Sequence, residues 1–132
     1  MSISPIDALR GFAFGGGTLV DYAIDDAIMM LSTEVLALNQ PDADLCRFGD
    51  VQLGMRIAIA LDAGGVAPPF SGFAAGQDGE ISRLGPSGTD CDVWELAFFL
   101  HDFRDVGRQK FVVLSFRPLA ISVMPTGVAI SD

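Results

Sequence analysis

Between residues 20 and 38, apolar side chains recur at Val20, Ala23, Ile24, Ala27, Ile28, Leu31, Val35 and Leu38. That spacing follows the 3.6-residue period of an amphipathic helix. Thr18 is placed to cap it, and Asp21 in the first turn suits the helix dipole. The pattern predicts a main helix starting at Thr18 that buries Ile24, Ala27, Ile28 and Leu31 against a sheet. Residues 34–38 also fit the start of a strand. A shorter helix is signalled by Ser4-Pro5-Ile6-Asp7, with Ser as cap, Pro at the first helical position and an acid three residues after the cap.

The clearest strand covers residues 51–62. Val51, Leu53, Met55, Ile57, Ile59 and Leu61 alternate with Gln52, Gly54, Arg56, Ala58, Ala60 and Asp62. One face is wholly apolar and the other is small or polar, as for a sheet with helices on one side. Asp78-Gly79 reads as the tight turn of a small hairpin over residues 73–84. Asp92 caps a second predicted helix over 93–103, apolar on nearly all sides. Residues 111–116 read as a central strand, and Pro125-Thr126-Gly127 as the turn of a hairpin between 119–123 and 128–130. Early helices and late strands, without regular alternation, imply an α+β fold: one or two main helices on a mostly antiparallel sheet, in a single domain over 1–132.

Composition narrows the class. Apolar residues make up 50% of the chain and charged residues 19%, a balance that excludes disorder. The positive mean hydropathy exceeds what a small monomer core absorbs, which implies an apolar face covered by a second copy or another protein. The net charge of −9 repels phosphate backbones and acidic headgroups, so neither nucleic acid nor a membrane surface is expected as partner. Cys46 and Cys91 lie in unlike contexts without metal-ligand spacing. They read as two reduced thiols of a cytoplasmic protein, since residues 1–10 lack the pattern of a secretion signal.

Candidate chemistry is sparse. Gly16, Gly17 and Thr18 lead into the predicted helix and can present N–H groups to an anion. Asp21 and Asp25, four apart, share one helical face and can divide acid and base roles. His101, the sole histidine, lies among Asp102 and Asp105 and can serve as a general base. Arg104, Arg108, Lys110 and Arg117 gather half of the eight basic residues and can receive an anionic ligand. The glycine turn, long helix and following strands resemble the layout of hotdog-fold thioesterases and dehydratases. That resemblance implies Asp21 or Asp25 as base or nucleophile, although the histidine that often precedes such glycines is absent here.

No catalytic set, metal site or cofactor motif emerges from these residues. The leading expectation is a non-catalytic domain that self-associates or docks on a protein partner, such as an inhibitor or immunity-type protein or a particle component. The competing class is a small enzyme or ligand-binding cup, hotdog-like or similar, that uses His101 with a nearby carboxylate.

Overall fold

In the computed structural model, which describes residues 4–9, 12–88, 92–104 and 109–128, the expected main helix is a β-hairpin. Its strands are β1 (Thr18–Asp25) and β2 (Ile28–Leu36), paired antiparallel with Asp25 opposite Ile28. The turn between them holds Asp26 at φ 53° and Ala27 at φ 62°. Two successive positive φ values form the turn whose twist matches a two-residue hairpin, normally marked by Asn-Gly or Asp-Gly. Ala27 lacks that mark. The helical stripe masked a period-two pattern in which Met29, Leu31, Thr33 and Val35 point inward. Leu31 is buried as expected, but Ala27 is exposed and Ile24 and Ile28 are 43% and 41% exposed at the hairpin end.

The predicted second helix is likewise a strand, β5 (Trp94–Asp102). Trp94, Leu96 and Phe98 enter the core. Its outer face carries Ala97 and Phe99, so both faces are apolar and the alternation is hidden. The remaining strands are β3 (Gln52–Ala67), β4 (Gln77–Pro86) and β6 (Gln109–Val128). Asp78-Gly79 lies inside β4 and turns no hairpin. Pro125-Thr126-Gly127 lies inside β6.

The six strands close into an antiparallel barrel in the order β1-β2-β3-β6-β5-β4. The α+β architecture is therefore replaced by an all-β one, whose only helices among the described residues are short. These are α1 (Pro5–Leu9), α2 (Ala43–Cys46) and one 3₁₀ turn. Helix α1 starts as expected: Ser4 Oγ accepts the Asp7 N–H and donates to the Asp7 carboxylate.

Two meanders build the barrel, and β6 joins them by pairing with β5 along its first half and β3 along its second. The long strand changes register at prolines. Pro118 and Pro125 each border a register shift against β3. Proline cannot donate to the ladder and so belongs at bulges. Opposite, β3 sets four residues between Leu61 and Val66 against Arg117 alone on β6, an excess of three.

The seam between β1 and β4 rests on two residue pairs, Thr18 with Glu80 and Leu19 with Gly79. Both exposed edges are covered. Gly16 N–H donates to Ile81 O, and Ile81 N–H donates to Gly17 O, each at 2.8 Å. On the other side, Phe70 and Phe73 from the crossing loop pack edge-on against Tyr22 and Phe98. Phe98, Leu19, Met29, Leu31, Ile57 and Leu114 fill the interior. Barrels this small enclose side chains rather than a channel.

Candidate functional site

The residues singled out in the sequence are distributed around the barrel. Asp21 and Asp25 still share a face, now the outer face of β1. Four strand residues span about 13 Å, against roughly 6 Å for one helical turn, so the pair cannot clamp one ion or divide acid and base roles across one atom. The hotdog arrangement that gave them those roles is absent, because the central helix on which it depends is a hairpin. Gly17 is buried, with Val35 Cγ1 2.8 Å from where a Cβ would stand. It serves close packing of chain against chain. The Gly16 N–H is spent on β4, and Thr18 begins β1.

His101 points outward from β5, directly across from Asp78 on β4. Its Nε2 is shielded from water and lacks a hydrogen-bond partner, with Glu80 Oε2 4.0 Å away. Burial pushes the Asp78 carboxyl above its ordinary value, and the His101 charge opposes that shift. At the end of β5, Gln77 Nε2 donates to Asp102 Oδ2 at 3.1 Å, and Arg104 reaches Asp102 through its backbone and guanidinium. The Arg104 and Gln77 hydrogen bonds hold the Asp102 carboxyl at about 2. Arg104 is thus committed to a neighbouring acid. Arg108 and Cys91 lie outside the described residues. Cys46 is a free thiol whose Sγ donates to Leu38 O. Among the described residues no three His, Cys, Asp or Glu side chains gather as metal ligands.

Concavity lies outside the barrel. A cleft of about 480 Å³ lies under α1, between Ser4, Ile6, Asp62, Trp94, Arg117 and Leu119. His101 and the β1 acids do not line it.

Strands β1, β2, β3 and β6 together build one outer wall of the barrel. Strand register sets three successive rows across it. The first is Asp21, Ser32, Arg56, Met124. The second is Ala23, Met30, Ala58, Ser122. The third is Asp25, Ile28, Ala60, Ala120. The middle is mostly small and apolar, broken by Ser122, with Met124 59% exposed at one margin. Arg56 is exposed, and among the described residues no hydrogen bond or ion pair engages its guanidinium. By contrast, Arg83 is paired with Glu95 and Arg104 with Asp102.

Sequence reasoning missed this wall. Its signal is the second, small or polar face of the 51–62 alternation, with Gly54, Arg56, Ala58 and Ala60. Only strand pairing sets Ala58 and Ala60 beside Met30 and Ile28.

No protein-family model, curated protein or solved structure matches the chain, so the functional reading rests on its own geometry. No helix of the described chain is long and apolar enough to cross a membrane.

Proposed function

We propose that this protein is a non-catalytic assembly domain that associates with copies of itself through the outer wall of β1, β2, β3 and β6. The observation that carries this reading is the central rows of that wall, where Ala23, Met30, Ala58, Ile28, Ala60 and Ala120 face outward over four adjacent strands. A closed barrel needs hydrophobic residues only inside, so a second apolar surface requires its own cover. The alanines of β1, β3 and β6 keep side chains short there and permit close approach. The packed interior favours assembly over a ligand-binding cup, and His101 sits away from the described cleft, without a placed nucleophile.

Burial opposes electrostatic repulsion here. Two chains each of net charge −9 repel at low salt, and physiological salt screens exposed charges beyond about 8 Å. Association therefore tightens as salt rises. Sedimentation velocity at micromolar concentration is expected to give a dimer or larger species at moderate salt, and Ala58→Arg a monomer. A 14.0 kDa species at both low and moderate salt overturns the proposal and favours a monomeric cup.

A further inference from the structure

Resting on the assembly reading above, we infer that two copies of this chain meet across a two-fold axis running along β2, so that Arg56 of each copy faces the partner's Asp21. Arg56 stands at the edge of the apolar rows while the other described residues of its own row are Asp21, Ser32 and Met124. Within one chain, Ser32 on β2 separates Arg56 from Asp21. Asp21 is exposed, and one of its oxygens already accepts the Tyr22 N–H at 2.9 Å.

A face-to-face dimer has its two-fold axis in the plane of contact, so each residue meets the partner residue reflected across that axis. An axis along β2 exchanges β1 with β3. It sets Arg56 over the partner's Asp21, Ala58 over the partner's Ala23, and Ala60 over the partner's Asp25. Met30 and Ile28 meet their own copies. An axis across the strands through Met30 and Ala58 instead sets Asp21 over the partner's Asp25 and leaves Arg56 over the partner's Ala60. The first arrangement forms two ion pairs and buries the apolar centre. The second opposes like charges and strands the cation. Charge complementarity therefore selects the axis along β2.

One like-charge meeting remains. Glu34 sits on β2 beyond Ser32 and meets its own copy at the margin of the contact. Glu34→Gln should accordingly tighten association, and this residual repulsion has the same salt sign as the net charge.

Both key residues are exposed, so their exchange leaves the core untouched, and a thermal melt followed by circular dichroism checks this. Arg56→Asp places acid against the partner's Asp21 twice, and Asp21→Arg places base against the partner's Arg56 twice. Each variant alone should dimerise roughly 100-fold more weakly. Mixing the two should restore association as a heterodimer, because each contact then joins opposite charges. Arg56→Gln and Asp21→Asn remove the pairs without repulsion and should each weaken the dimer about tenfold. A wild-type dimer indifferent to these changes overturns the axis while leaving assembly standing. Weakened single variants that stay apart when mixed also overturn it. A wild-type monomer removes both proposals.

Discussion

The ring of Phe98 occupies the space that a side chain on Gly79 would need. A Cβ built on Gly79 comes 2.8 Å from Phe98 Cδ2 and 3.3 Å from the tip of Phe73. Gly79 pairs with Leu19 on one side and Leu100 on the other, so it lies where the barrel closes. The absence of a side chain lets the aromatic cluster reach the seam. Gly79→Ala should cost about 1–3 kcal/mol by overpacking. Urea unfolding measures this, and combining the change with Phe98→Leu should recover part of the loss.

Gln40 completes a bridge that the backbone does not make. Its Oε1 accepts the Ala13 N–H at 3.0 Å, and its Nε2 donates to the oxygens of Ala13 and Leu36. The residue is only 4% exposed. Gln40→Leu keeps the volume but leaves both backbone groups of Ala13 without partners. A loss of roughly 1–3 kcal/mol is expected, with faster amide exchange at Ala13 as the specific readout.

Ala27 holds a left-handed backbone at φ 62°, where an L side chain crowds the following carbonyl. Ala27→Gly relieves that strain and should raise stability by about 1 kcal/mol. Thermal or urea unfolding tests it, and a loss of stability would overturn the two-residue turn.

Acid and alkaline limits should follow different groups. Asp102 has its folded pKa lowered to about 2 from an ordinary 3.8. Its contribution is therefore present above about pH 4 and is lost as pH falls towards 2. Tyr22 is raised from 10.0 to about 12 by burial, so its contribution holds below about pH 10 and is lost as pH rises through 12. Asp102→Asn should flatten the acid limb of a stability profile, and Tyr22→Phe the alkaline limb. Because the Tyr22 hydroxyl has no partner within the described structure, its removal should cost little at neutral pH. A steep alkaline limb in Tyr22→Phe would contradict this assignment.

Local physics makes some elements legible in the chain alone. The 51–62 strand follows from strict alternation, and helix α1 from Ser4, Pro5 and Asp7. Both signals depend on neighbours in the chain. The hairpin at residues 18–36 is hidden because its turn lacks glycine and its apolar residues satisfy two periods at once. Strand β5 is hidden because its outer face is also apolar. Tertiary pairing decides both: the hairpin gains β3 and β4 beside its own ladder, and β5 lies between β4 and β6. The same reason explains the site. Asp21 and Arg56 are 35 positions apart in the sequence, and nothing local relates them. Their common row exists only because β1, β2 and β3 lie side by side. Hydrophobic content and acidity, by contrast, are sums over residues and need no fold, so the expectation of a covered apolar face can be formed from sequence while its location cannot.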